Sequence, residues 1–206
     1  MPLSPDEQTL LEGCRSGDEE AWLALYRAYA GDLGRYLQGM LRYSSEIEDL
    51  VQRVFLQFLS SLERYRGDAG LRTWLHRIAR HVALHDIRSR ERRERHVQGY
   101  AETVEDRTKS PESQLEARDR LEQVQALLAH VDEPFREVWL LREIQGFSAA
   151  EVADITDTPA ATVRTRHHRA RERLFALLND TDRDEARRLQ APVDGLHLVS
   201  SKGGKR

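Results

Sequence analysis

The chain has 206 residues, 39% hydrophobic and 33% charged, a balance that suits two small cores better than one large one. No run reaches the ~18–20 consecutive apolar residues of a membrane span, and the single cysteine, Cys14, excludes an internal disulfide and a cysteine-rich zinc site. The net charge of −3 hides a segregation: +6 over residues 64–95 and +4 over 158–179, against −6 over 1–63 and −8 over 96–157.

The first residues, MPLSPDEQTLLEG, lack a basic stretch followed by an apolar one, so no signal peptide is expected and a cytoplasmic location follows. Ser4-Pro5-Asp6-Glu7 is a capping box with proline at the first helical position. Asp18 can cap a long helix whose stripe runs through Trp22, Leu25, Tyr26, Tyr29, Leu33, Tyr36, Leu37 and Met40. Ser45-Glu46-Ile47-Glu48 is a second capping box, opening a helix with Ile47, Leu50, Val51, Val54, Phe55, Phe58 and Leu62 on one side. Steps of three and four are the helix period rather than the alternation of strands. Gly67 and Gly70 bracket a loop, and a helix from Leu71 turns Trp74, Leu75, Ile78 and Val82 inward.

Apolar periodicity lapses over residues 92–112, which are polar and carry Gly99 and Pro111, so a linker is expected there. It resumes with Leu121, Val124, Leu128 and Val131, breaks near Pro134, and returns with Val138, Leu141 and Ile144. The last 27 residues read as loosely ordered. No strand is predicted, so the fold class is all-α, with two small helical domains joined by a linker.

The segment from Ser148 to His167 reads as a helix-turn-helix. Ser148 and Glu151 form a capping box, flanked by Phe147 and Val152 at the positions of a hydrophobic staple. A short helix ends near Ile155, and Thr158 with Pro159 opens a second one after a three- or four-residue turn. Val163, Ala170, Leu174 and Leu177 face inward. Arg164, Thr165, His168, Arg169 and Arg171 are left outside, with Thr162 and Arg166 beside them. A helix fits the major groove of B-DNA, where arginine reads guanine and threonine meets phosphate or a thymine methyl group.

The first basic block begins Arg64-Tyr65-Arg66-Gly67-Asp68-Ala69-Gly70 and continues in a helix with Arg72, Arg77, Arg80, His81 and Arg88. Aromatic rings accept unstacked bases while arginines track phosphates, which suits single-stranded DNA. Tyr65 could equally close a core. His81 and His85, four apart on a helix, could ligate a metal from one face, but no glutamate of the zinc-protease motif and no third ligand accompany them, so neither metal nor other cofactor is expected. No glycine-rich phosphate loop and no activated serine or cysteine motif argues for an enzyme.

Asp49-Leu50-Val51-Gln52-Arg53-Val54-Phe55, then RYRGDAGLRTWLHRIARHVALHDIRSR, then a linker and TPAATVRTRHHRAR, together closely resemble the extracytoplasmic-function (ECF) group of sigma-70-type transcription initiation factors over residues 17–178. The resemblance implies a domain at 1–95 that binds the polymerase core and reads and melts the −10 promoter element. It implies a linker at 96–112, a −35-reading domain at 113–179 and a tail at 180–206. Arg64, Tyr65, Arg66, Arg72, Arg77, Arg80 and His81 would meet the melted −10 strand. Asp49, Gln52, Arg53 and Leu56, a polar face with one large apolar residue, would dock on a coiled coil of the large polymerase subunit. Core RNA polymerase, promoter DNA and an anti-sigma factor are the implied partners. The sequence departs from the family at Arg53 (usually acidic), His81 (often Asn), Asp157 (usually Gly) and His167 (commonly aliphatic in the buried stripe). The competing reading is a helix-turn-helix regulator acting without polymerase, which leaves the first basic block unexplained.

Overall fold

The computed structural model describes residues 4–41, 46–67, 69–97 and 127–190. Among them every regular element is a helix: α1 (Pro5–Ser16), α2 (Glu19–Met40), α3 (Ile47–Ser61) with a 3-10 turn at Leu62–Arg64, α4 (Leu71–Val97), α5 (Glu133–Trp139) running into a π turn at Leu140–Ile144, α6 (Ala149–Thr156) and α7 (Ala160–Gln190). No helix among the described residues is long and apolar enough to cross a membrane.

Helix starts follow local chemistry. Ser4 accepts from the Glu7 N–H while the Glu7 carboxylate accepts from the Ser4 N–H, and Asp18 accepts from the Glu20 N–H. The expected box at Ser45 fares differently. Ser45 lies outside the described residues, and Glu46 holds the cap position of α3 with no side-chain cap bond. α1 to α4 enclose a core in which Phe58, fully buried, meets Trp22 and Trp74 with ring centroids 5.8 and 5.0 Å away. Truncating such a phenylalanine to alanine costs about 3–5 kcal/mol.

Three expectations change. α4 reaches Val97, beyond the expected linker start at residue 92, because basic residues carry its last turns where apolar ones stop. α7 continues to Gln190, past Asn179, where the second domain was expected to end. Ile144, expected inward, is exposed, because the π turn rotates it out of register with Leu140 and Leu141. Leu121, Val124 and most of the linker lie outside the described residues.

The two halves do not keep separate cores. Buried residues from Leu11 to Leu84 and from Leu128 to Leu174 form one contiguous cluster. α2 and α4 turn a second face toward α5, the π turn and α6. Tyr36, Gly39, Arg72, His76, Arg77 and Arg80 sit on that face.

Candidate nucleic-acid interface

The helix-turn-helix forms as its residues dictate. The Ser148 hydroxyl accepts from the Glu151 N–H (3.2 Å), and the Glu151 carboxylate accepts from the Ser148 N–H (2.8 Å). That backbone bond holds the Glu151 carboxyl below its ordinary value. Phe147 and Val152 are both buried, as a staple requires. Asp157 ends α6 in the left-handed conformation (φ 50°), where asparagine and aspartate are the non-glycine residues best tolerated. The Thr158 hydroxyl donates back to the Thr156 carbonyl (3.2 Å).

α7 then buries Val163, Ala170 and Leu174 and leaves Arg164, Thr165, His168, Arg169 and Arg171 exposed. Thr162 and Arg166 are half-buried beside them. The exposed set follows the outer side of the helix from its first turn. His167 departs from expectation. Its imidazole is half-buried rather than within the core, and its Nε2 lies 2.7 Å from the Glu143 carboxylate. His168 pairs with Glu172 one turn on, and Arg173 with Asp132 (3.2 Å).

The first basic block divides. Arg64 and Arg66 are exposed. Tyr65 is not available to an unstacked base in this arrangement: it is 7% exposed, its ring stacks on Trp74 (4.3 Å, 17° between planes), and its hydroxyl donates to the Ala69 carbonyl. The ring closes the core because the chain reverses here between α3 and α4. Arg72, Arg77 and Arg80 point at the second half. Arg72 donates to the Gln145 carbonyl (2.8 Å) and to Asp32 (3.1 Å), and its guanidinium lies 4.3 Å from the Phe147 ring centroid. Arg77 donates to the Asp154 carbonyl (3.0 Å) and Arg80 to the Glu137 carboxylate (2.8 Å). Burial pushes the Glu137 carboxyl above its ordinary value, against the lowering effect of Arg80.

His81 is exposed, on the wall of a groove of about 730 Å³ between α4 and Gln57 of α3. His81, His85, Arg88, Arg92 and Arg95 share that wall, with Glu91 the one acid among them. The sequence-based expectation includes His81 but not the stripe as a whole. Its signal was present: positions 81, 85, 88, 92 and 95 advance by four and three, the helix period written in basic rather than apolar residues. Among the described residues no cluster of three or more metal-binding side chains forms around His81 and His85.

Asp49, Gln52, Arg53 and Leu56 line the outer face of α3, and Leu56 is 63% exposed. Arg53 reaches toward Asp86 at 3.9 Å.

An all-helical pair of domains, one bearing a helix-turn-helix and the other a basic groove, defines a DNA-binding transcription factor. Residues 25–93 match the family model of sigma-70 region 2, and residues 121–174 that of sigma-70 region 4. The chain is 31% identical over 178 residues to the ECF RNA polymerase sigma-E factor of Haemophilus influenzae, covering 81% of this chain and 92% of that one. It is 29% identical over 192 residues to the ECF RNA polymerase sigma factor SigX of Bacillus subtilis, covering 90% and 99%. The chain therefore belongs to the ECF group of the sigma-70 family of transcription initiation factors. Its fold is that of CnrH, solved with the cytosolic domain of CnrY (TM-score 0.65, 24% identity, 85% of this chain and 98% of that one). It is also that of RpoE, solved with the anti-sigma factor NepR from Bartonella quintana (TM-score 0.63, 24% identity, 77% and 96%).

Proposed function

We propose that this sigma factor acts in the cytoplasm, docks on core RNA polymerase through Asp49, Gln52, Arg53 and Leu56, reads a −35 element with α7 and engages a melted −10 strand with the basic block. The observation that carries the reading is the recognition helix. Arg164, Thr165, His168, Arg169 and Arg171 are exposed together while Val163, Ala170 and Leu174 anchor the opposite side. A helix seated in the major groove needs that division: base edges and phosphates meet the outer side, and the inner side holds the angle of approach.

Each part has a physical role. Arg164, one turn into α7, is placed for a bidentate contact to guanine, and Arg171, two turns on, for phosphate. Arg64, Arg66 and the stripe from His81 to Arg95 offer a cationic path for a single strand, with His81 the candidate for base choice. Leu56, exposed among polar neighbours, supplies the apolar centre of a protein contact. Residues 1–95 and 113–179 are the two working domains, 96–112 the linker between them and 180–206 a tail. Bond formation belongs to the polymerase, so the role asks no catalysis and no cofactor of this chain. An anti-sigma factor is the expected regulator, in keeping with the complex in which RpoE was solved with the anti-sigma factor NepR.

The test is transcription from a library of genomic promoters with purified core polymerase. Core-dependent initiation at a shared promoter sequence is expected, and Leu56→Glu is expected to weaken holoenzyme assembly while leaving the circular dichroism helical. Duplex binding without core-dependent initiation would return the chain to the class of ordinary helix-turn-helix regulators.

A further inference from the structure

The recognition helix is anchored through an apolar strip with one polar member. Val163, Ala170 and Leu174 are buried on its inner side, and the four-residue step from Val163 lands on His167. That step is filled by a half-buried imidazole whose Nε2 lies 2.7 Å from the Glu143 carboxylate. A carboxylate accepts and does not donate, so Nε2 carries the proton of this bond.

Glu143 stands on a braced backbone. It belongs to the π turn Leu140–Ile144, whose Leu140 carbonyl accepts from the Gln145 N–H (2.9 Å). Leu140 and Leu141 are buried, and the Arg142 guanidinium donates to the Phe147 carbonyl (2.7 Å). The turn that leaves Ile144 exposed thus presents Glu143 to α7. Such turns within helices recur at functional sites.

Position on the helix decides what the bond can do. At about 100° per residue, His167 lies roughly 40° around α7 from Arg171 and roughly 60° from Arg164, at the edge between the buried strip and the exposed arginines. Apolar contact is non-directional, whereas a hydrogen bond prefers one distance and one line of approach. Val163, Ala170 and Leu174 therefore hold α7 against its domain, and Glu143 holds it against turning about its own axis. Side-chain tips stand about 5–6 Å from a helix axis, so a turn of ~10° carries them about 1 Å. A bidentate arginine–guanine pair needs two N–H groups in line with two acceptors, and a shift of that size takes one of them out of line.

We propose that Glu143 is a positioning residue for −35 recognition: through His167 it fixes the rotation of α7, and with it the base edge that Arg164 meets. The proposal rests on the reading of Arg164 as a −35 contact. An acid without this role would behave oppositely. Exposed on the DNA-binding domain, it would repel phosphate, and its removal would tighten binding to every sequence alike.

The experiment uses holoenzymes assembled from the full chain and purified core polymerase, on promoters randomised across −35 with one −10 sequence held constant. Arg164→Ala identifies the position that this arginine reads. There Glu143→Ala is expected to lower the base preference about five-fold, the lower end of what a bidentate pair contributes. Glu143→Gln, which keeps an oxygen acceptor without the charge, should stay within about two-fold of wild type. In the His167→Leu background an aliphatic side chain completes the apolar strip, and adding Glu143→Ala should change the profile by less than about two-fold. Each profile is a ratio taken within one holoenzyme, so a change in the folded fraction leaves it unmoved. Glu143→Ala that keeps the wild-type profile or binds every sequence more tightly, Glu143→Gln as relaxed as Glu143→Ala, or equal relaxation in the His167→Leu background each overturn the proposal. The reading beneath it fails differently: Arg164→Ala would then leave the −35 profile unchanged.

Discussion

Glu137 offers a sharp test of how the two halves are held. Its carboxylate is buried, and it accepts from Arg80 at 2.8 Å and Tyr36 at 3.1 Å. Burial raises its pKa despite those partners, so desolvation outweighs what the pair returns. The contribution of the pair is therefore small, while the cost of breaking it is large. Glu137→Ala leaves the Arg80 guanidinium and the fully buried Tyr36 hydroxyl without their acceptor. Removing one member of a buried pair costs ~3–5 kcal/mol. The Arg80 side chain is 21% exposed and recovers some hydration, which places the expected loss near ~3 kcal/mol. At ~2–4 °C per kcal/mol for a chain of this size, the melting temperature should fall by roughly 6–12 °C. Arg80→Met combined with Glu137→Leu removes both charges and fills the volume, and should cost under ~1 kcal/mol. Thermal and urea unfolding followed by circular dichroism measure both variants against wild type. A double variant that loses as much as Glu137→Ala alone would show that the pair stabilises in its own right, and would refute the reasoning.

His76 is fully buried, and burial lowers its pKa to about 4 from an ordinary 6.5. The fold thus prefers the neutral ring: stability is complete above pH ~6.5 and should fall by about 3 kcal/mol as the pH drops to ~4, a slope that His76→Gln should abolish in urea titrations. Asp157→Val, forcing a branched side chain into the left-handed region, should cost ~1–2 kcal/mol, while Asp157→Gly stays within ~0.5 kcal/mol of wild type in the same unfolding assay. Arg164→Ala should lose ~1–3 kcal/mol at one −35 position and relax its base preference. Arg171→Ala should weaken all sequences alike and reduce the salt slope by about one, both read from −35 library profiles and salt titrations.

What the sequence disclosed depended on range. Capping boxes at Ser4 and Ser148, the cap at Asp18, the turn at Asp157 and the buried stripes of α2, α3 and α7 are all set by residues within a turn or two of one another, and periodicity and side-chain chemistry expose them. Tyr26, counted in the α2 stripe, is the exception, its ring lying exposed against Phe55. α4 outlasts its apolar periodicity, which stops short of residue 92, because the stripe from His81 to Arg95 keeps the same period in basic residues and carries the helix to Val97. Tyr65 had two readings in sequence, base platform or core plug, and only the position of Trp74 decides between them. The shared core was not legible at all. Arg72 and Gln145 are 73 positions apart, and no local pattern announces that a π turn brings the Gln145 carbonyl to an arginine.

That last failure has a chemical cause. A guanidinium offers the same planar fork of donors to a phosphate oxygen, a carboxylate and a main-chain carbonyl. A basic block in a sequence therefore declares an oxygen-rich partner without saying which one. In this chain the alternatives exclude one another in space. Arg72, Arg77 and Arg80 spend their donors on the second domain, whereas Arg164, Arg169 and Arg171 stay exposed. One composition thus yields two behaviours, set by what lies opposite each helix. Opposite α4 stand the carbonyls and the carboxylate of α5, the π turn and α6, held against it by the entry of Leu140 over Gly39. Opposite the outer side of α7 nothing in the described chain stands.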